Sequence, residues 1–163
     1  MAEQSRQDPS ALEQGDLALL QDPVAQELMR SRIPATLAYI WKDGTPRAVP
    51  MACHWNGQDF VMASPPGAPK LKALPQNAKV AVTIDSEDFP YKVLMVRGTA
   101  NVQMVDGVPP EYTAACRRML GDEAGQAWSD QVGQRFQQLA RIAVRPEWVG
   151  VIDFQTRFPT ALA

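Results

Sequence analysis

Lys70 is the residue of this sequence best placed to bind an anion. It follows the loop Ser-Pro-Pro-Gly-Ala-Pro at residues 64–69 and opens a predicted short helix that also carries Lys72. Free N–H groups and the dipole at a helix start favour a phosphate, and a lysine ammonium adds a point charge. The hydroxyl of Ser64 can donate to the same group. Residues 44–74 therefore predict an anion pocket; the alternative is a solvated helix face.

His54 is the only histidine of the chain, which makes it the obvious candidate for acid–base chemistry or for a haem ligand. The alternative is a polar position on a strand, beside Trp55. Cys53 and Cys116 have no metal-ligand spacing, and we interpret both as reduced thiols in or near the core. The sequence therefore predicts no metal site.

The composition argues against several classes of protein. The 163 residues are 45% apolar and 21% charged, as is typical of one globular domain. A net charge of −2 without a long run of one sign argues against a general nucleic-acid binder. No apolar stretch has the length of a membrane span or signal peptide, so we expect a cytoplasmic protein. We expect a flexible N-terminal segment at residues 1–20 and one domain at residues 21–163.

The first half of the chain is predicted to form a helix followed by hairpins. Asp22 caps a helix that begins at Pro23. From residue 35 the apolar period changes to two, and Asp43-Gly44 turns the chain into a second strand. That strand, residues 45–55, contains two prolines that cannot donate to a ladder, so it is an edge strand, bulged, or both. A further turn leads into a strand at residues 59–64.

The second half of the chain adds strands and a helical insertion. Gly98 lies inside a long alternating strand and predicts a bulge or sharp bend. The predicted elements are strands at residues 78–84, 92–105, 141–144 and 147–154, with helices at 110–120 and 123–139. In the second of these helices we expect the apolar positions spaced by four to face the core: Ala124, Trp128, Val132 and Phe136. About six strands in meander order indicate an α+β fold, a six-stranded antiparallel β-barrel with flanking helices.

Several short motifs occur in a fixed order. In chain order they are a turn, a strand, a second strand that ends in a small hydroxyl residue, the start of a helix, and a long strand. They are Asp43-Gly44-Thr45-Pro46, Arg47-Ala48-Val49, Ser64, Gly67-Ala68-Pro69-Lys70 and Val96-Arg97-Gly98, with C-terminal segments at residues 145–149 and 153–159. This order resembles the FMN-binding split β-barrel family typified by pyridoxamine 5'-phosphate oxidase, in a shorter branch than the oxidase proper. The resemblance implies a homodimer of split barrels with two flavins at the subunit interface.

The resemblance also implies the cofactor contacts. Ser64, Lys70 and Lys72 would bind the flavin phosphate, and Arg47 would reach the phosphate or a ring carbonyl. Residues 49–52 would line the isoalloxazine ring; the alternative for each is ordinary strand packing. Trp148 and Arg157 would reach the flavin of the partner subunit. The implied cofactor-binding residues are Arg47, Ala48, Val49, Pro50, Met51, Ser64, Lys70, Leu71, Lys72, Arg97, Trp148 and Arg157.

Three hypotheses of function follow. The first is an FMN-dependent oxidoreductase that acts on a small molecule. The second is a reductase that uses the deazaflavin F420, as a sister group of split barrels does. The third is a non-enzymatic flavin- or haem-binding protein, with His54 as the axial ligand of a haem. Ala68 and Pro69 stand where the oxidase has Ser and Arg, and Ala52 stands where it has Lys, which argues against pyridoxamine 5'-phosphate as the substrate.

Overall fold

The computed structural model describes residues 12–158, so predictions about residues 1–11 and Pro159 lie outside the described residues. A short 3₁₀ helix (Leu17–Gln21) precedes the first α-helix. The helices are α1 (Pro23–Arg30), α2 (Lys70–Ala73), α3 (Pro110–Leu120) and α4 (Asp122–Arg135). The strands are β1 (Ala35–Ile40), β2 (Pro46–Met51), β3 (Cys53–Trp55), β4 (Phe60–Ser64), β5 (Lys79–Asp85), β6 (Val93–Asp106) and β7 (Gln138–Ile152).

The seven strands of the described chain form one antiparallel sheet in the order β2-β1-β5-β6-β7-β4-β3. Strand β2 ends at Met51 and β3 begins at Cys53, so Ala52 alone joins the two strands at opposite ends of this order. The sheet must therefore curl round on itself, as in a barrel. The predicted α+β fold with an antiparallel split barrel is confirmed.

The sheet has seven strands where six were predicted, and its order is not a meander. The predicted strand at residues 45–55 divides at Ala52 into β2 and β3. Both halves lie at sheet edges. Pro46 and Pro50 are both in β2, and an edge strand tolerates residues that cannot donate a ladder hydrogen bond. The prediction of an edge strand is thus confirmed for both halves.

The last two predicted strands, at residues 141–144 and 147–154, are one strand, β7. Its pairing with β6 shifts at the step from Arg97 to Gly98, where Glu147 is the extra residue. A bulge therefore accommodates Pro146 without ending the strand, and the irregularity predicted at Gly98 is confirmed. A Cβ atom on Gly98 would overlap the carbonyl oxygen of Arg145, so only glycine fits this crossing.

The N-terminal leucines are part of the core. Leu19 and Leu20 are buried, although the sequence assigned residues 1–20 to a flexible segment. Asp16 caps the 3₁₀ helix that carries them, and this helix packs against β7. The two leucines add to a core formed by the inward side chains of the barrel and one face of α1.

The prediction for the second inserted helix is wrong in its orientation. Helix α4 ends at Arg135, and its buried residues are the small Gly125 and Ser129. Trp128 is 48% exposed, although it was expected in the core. The reason is the close packing of α4 on α3: a Cβ on Gly125 would overlap the α3 backbone, and the hydroxyls of Thr113 and Ser129 lie 2.7 Å apart.

Within residues 12–158 no helix is long and apolar enough to cross a membrane. The longest, α4, has 14 residues, against the roughly 20 that a spanning helix needs.

Candidate functional site

Lys70 and Ser64 form the centre of the candidate site. Ser64 is the last residue of β4 and only 2% exposed, and Lys70 is the first residue of α2. The ammonium of Lys70 donates to the Ser64 hydroxyl over 3.1 Å. Burial lowers the pKa of Lys70, and no carboxylate of the described chain pairs with it. The structure thus brings a half-buried cation within hydrogen-bond distance of a buried hydroxyl, and the phosphate contact expected of both stays a prediction.

The helix contributes less to this site than the sequence suggested. Helix α2 has four residues, which is about one turn. The N–H groups of Leu71 and Lys72 donate to the carbonyls of Ala68 and Pro69 at 3.0 and 2.9 Å, so they are not free for an anion. The attraction for an anion therefore comes from the ammonium of Lys70 and the hydroxyl of Ser64.

The two residues that follow Lys70 differ in their surroundings. Leu71 is half-buried and packs against the barrel core, so its side chain has an apolar structural role. Lys72 is exposed and forms no ion pair among the described residues. Of the two predicted phosphate lysines, only Lys70 contacts Ser64.

Two further cations surround Trp41, just after β1. The guanidinium of Arg47 lies 4.1 Å from the centre of the Trp41 ring, and the ammonium of Lys42 lies 5.9 Å from it. Both are exposed, and neither pairs with a carboxylate in the part of the chain described. Lys42 was not among the predicted cofactor-binding residues. The sequence feature that could have indicated it is its position between Trp41 and the Asp43-Gly44 turn.

The predicted ring wall on β2 divides between two faces of the sheet. Arg47, Val49 and Met51 pair with Tyr39, Leu37 and Ala35, which are all buried. Met51 itself belongs to the core. Ala48 and Pro50 alternate with these residues and are exposed on the other face. The side chains of residues 47–51 therefore cannot form one continuous wall.

Arg97 and Trp148 lie side by side on the outer face of the barrel. They pair in register across β6 and β7, and the guanidinium of Arg97 lies 3.9 Å from the centre of the Trp148 ring. The same cross-strand row continues through small residues on the neighbouring strands, namely Ala81, Ala38 and Ala48. This row is partly exposed and has Arg97 and Trp148 at one end, and Ala38, Ala81 and Arg97 also line a cavity of about 360 Å³.

Arg157 contacts the N-terminal part of the described chain. Its side chain is buried, lies 3.6 Å from the Asp22 carboxylate and donates to the carbonyl of Leu12 over 2.9 Å. Asp22 also caps α1. The structure therefore ties Arg157 to the start of the domain and not to the Lys70–Ser64 site.

His54 lies on β3 beneath α3 and is half-buried. Burial lowers its pKa and the charge of Arg118 lowers it further, while Glu111 opposes both. Arg118 is itself fixed, because it donates to the carbonyls of Ser31 and Cys53 at 2.8 and 2.7 Å. His54 is thus a neutral imidazole beside a cation at neutral pH. No group of metal-ligating side chains occurs in the described range.

Comparison with known proteins identifies the family. The family model described as pyridoxamine 5'-phosphate oxidase matches residues 22–153, which is most of the chain. The chain belongs to the pyridoxamine 5'-phosphate oxidase family. No curated protein matches the sequence.

Solved structures of this family's fold superpose on the chain at low identity. An F420 reductase is 23% identical with a TM-score of 0.59, covering 77% of this chain and 94% of its own. The haem storage protein HutZ of Vibrio cholerae is 17% identical with a TM-score of 0.60, covering 81% and 93%. A putative pyridoxamine 5'-phosphate oxidase of Listeria innocua is 19% identical with a TM-score of 0.56, covering 82% and 98%. At these identities the likeness extends to the fold alone.

The pyridoxamine 5'-phosphate oxidase family typically binds a flavin, and the Lys70–Ser64 pair has the donor chemistry that a flavin phosphate needs. A phosphate offers strong acceptors and negative charge, and the pair offers an ammonium without a carboxylate partner in the described chain and a hydroxyl. Ala68 and Pro69, in the loop before Lys70, carry neither a hydroxyl nor a guanidinium that could add to this pair.

Proposed function

We propose that this chain is an FMN-binding oxidoreductase that acts on a small molecule in the cytoplasm. The observation that carries the proposal is the half-buried ammonium of Lys70, 3.1 Å from the Ser64 hydroxyl and without a carboxylate partner in the described chain. Burial of an unpaired cation is unfavourable unless an anion compensates it. A dianionic phosphate would supply that compensation.

A bound flavin would supply hydride chemistry at its ring. The chain would contribute orientation and electrostatics: Lys70 and Ser64 would hold the phosphate, and exposed Arg47 would add positive charge. No residue at the candidate site is a clear protein acid or base. Because Ala68 and Pro69 replace polar ligands, we do not expect pyridoxamine 5'-phosphate to be the substrate.

The test compares two flavins that differ only in the phosphate. Wild-type protein should bind FMN more tightly than riboflavin, measured by quenching of flavin fluorescence. Lys70→Gln should raise the Kd for FMN about 10- to 100-fold, since a hydrogen bond to a charged group contributes roughly 1.5–3 kcal/mol. The Kd for riboflavin should change little. Lys72→Gln, two residues further on and exposed, is the matched control and should retain FMN binding. Equal binding of FMN and riboflavin by the wild type would refute a phosphate site.

The proposal includes a homodimer with the flavins at its interface. The outer row that runs from Ala48 through Ala38 and Ala81 to Arg97 supports it, because small side chains allow close approach of a second sheet. Ala38→Glu would place a charge in the middle of this row. It should shift the molar mass measured by light scattering from two chains to one; a monomeric wild type would remove this part of the proposal.

F420 is the second candidate cofactor, favoured by the two exposed cations at Trp41. Lys42 and Arg47 form no salt bridge within the described chain, and the tail of F420 is anionic. Competition between FMN and F420 for the apoprotein separates the two candidates. Lys42 has no part in the proposed FMN site, so Lys42→Gln should weaken F420 far more than FMN if F420 is the natural cofactor.

A further inference from the structure

The apolar face of α4 and the residue after it is only partly buried, although the sequence placed it in the core. Trp128, Val132 and Phe136 recur every four residues, and Trp128 is 48% exposed. Together with Tyr112 of α3 and the end of β4 they line a pocket of about 230 Å³. We call it the α3–α4 pocket. Aromatic and apolar side chains that line a concavity are typical of a binding site.

The walls of the α3–α4 pocket are held in place by contacts behind them. The indole N–H of Trp128 donates to the hydroxyl of Tyr112 over 3.1 Å, which fixes the plane of the indole. The two helices are locked by the hydroxyl pair of Thr113 and Ser129, and by the close crossing at Gly125. The pocket is therefore formed before any ligand binds, so the free energy of binding would not be reduced by the cost of ordering its side chains.

The lining indicates the chemistry of the ligand. The walls are mostly apolar and aromatic, which favours a flat ring system that stacks on or against them. The volume is smaller than the roughly 300–1,000 Å³ of drug-sized sites, so one compact ring system fits. Arg135 also lines the pocket, with its guanidinium 5.7 Å from the Phe136 ring, and it has no carboxylate partner in the described chain.

We infer that the α3–α4 pocket binds a planar aromatic acid, with its ring between Trp128, Tyr112 and Phe136 and its carboxylate near Arg135. This site does not depend on the proposed flavin. The pocket shares Ser64 with the proposed phosphate site, but the residues inferred to hold the acid lie on α3, on α4 and just after α4. A ligand here would be recognised by ring shape and by one negative charge.

The test uses 2-naphthoate and its neutral analogue 2-naphthamide in calorimetric titrations of the whole protein. We expect one saturable site per chain for 2-naphthoate, with weaker binding of the amide. Trp128→Ala should weaken both compounds on the order of tenfold, because it removes the stacking surface. Arg135→Gln should reduce the affinity for 2-naphthoate to that for the amide.

Two controls distinguish this site from general apolar binding. Leu120→Ala removes another exposed apolar side chain of the same helix pair, and Arg117→Gln removes an arginine that pairs with Asp122 outside the pocket. Both should bind 2-naphthoate like the wild type. Non-saturable binding, or binding that Trp128→Ala leaves unchanged, would overturn the inference. A third result would also overturn it: the wild type binds no 2-naphthoate, and Trp128→Ala has a lower molar mass than the wild type. A second copy of the chain would then cover the pocket.

Discussion

The ammonium of Lys70 donates a hydrogen bond to the hydroxyl of Ser64 over 3.1 Å, across a loop of five residues. The loop brings the start of α2 back over the end of β4, and burial of Ser64 fixes the position of its oxygen. An ammonium held by a single neutral acceptor is not fully compensated. The pair is therefore a site that an anion would complete, and its charge should cost stability when no anion is present.

Replacement of Lys70 by methionine should raise the Tm of the cofactor-free protein while abolishing the preference for FMN over riboflavin. Burial lowers the pKa of Lys70, so the unfolded chain binds this proton more tightly than the folded chain does. Stability due to this group then rises as pH increases from the lowered folded value towards the ordinary value of 10.5. Thermal unfolding at pH 7 and pH 9.5 measures the effect: the advantage of Lys70→Met should shrink at the higher pH.

Lys72→Met is the control for that experiment, because Lys72 is exposed and makes no contact with Ser64. Its Tm should match the wild type at both pH values. A lower Tm for Lys70→Met at pH 7 would mean that the hydrogen bond to Ser64 stabilises the protein by more than burial of the charge costs.

Replacement of Arg157 by methionine should lower stability and leave flavin binding unchanged. The change removes the cation beside Asp22, a carboxylate that is only 6% exposed. Breaking a buried ion pair costs roughly 3–5 kcal/mol, and the 3.6 Å separation argues for about 2–3 kcal/mol here. Urea denaturation gives the loss of unfolding free energy, and the Kd for FMN should stay within about twofold. Intact stability with a large loss of FMN affinity would instead make Arg157 a cofactor ligand.

Replacement of Gly98 by alanine should destabilise the barrel severely. The new Cβ would overlap the carbonyl oxygen of Arg145 at the bulge between β6 and β7, and backbone cannot move aside cheaply. We expect a loss of about 3 kcal/mol or more in denaturant unfolding. Gly133→Ala in α4 is the matched control: its Cβ meets only a methyl group of Val108 at 3.3 Å. That change should be close to neutral, because the helix preference of alanine over glycine, about 0.5–1 kcal/mol, should offset this tight contact.

Local patterns in the sequence determined much of the fold. Three local features could be predicted because caps, prolines and periodicity act over a few residues. They are the start of α1 at Asp22-Pro23, the alternation in β1 and β5, and the start of α3 at Pro109-Pro110. Lys70 and Ser64 were expected to bind one phosphate, and the structure shows that the two side chains also contact each other. The order of motifs also indicated the family, which the family model confirms.

Tertiary structure alone decided which face each element presents. The apolar stripe of α4 predicted burial, yet the small residues Gly125 and Ser129 face α3 and leave Trp128 outside. Arg157 pairs with Asp22, which is far away in the sequence. Residues 45–55 divide into two strands that lie at opposite edges of the sheet. A periodic pattern specifies that a helix or strand has two faces, but only packing against distant segments determines which of them is buried.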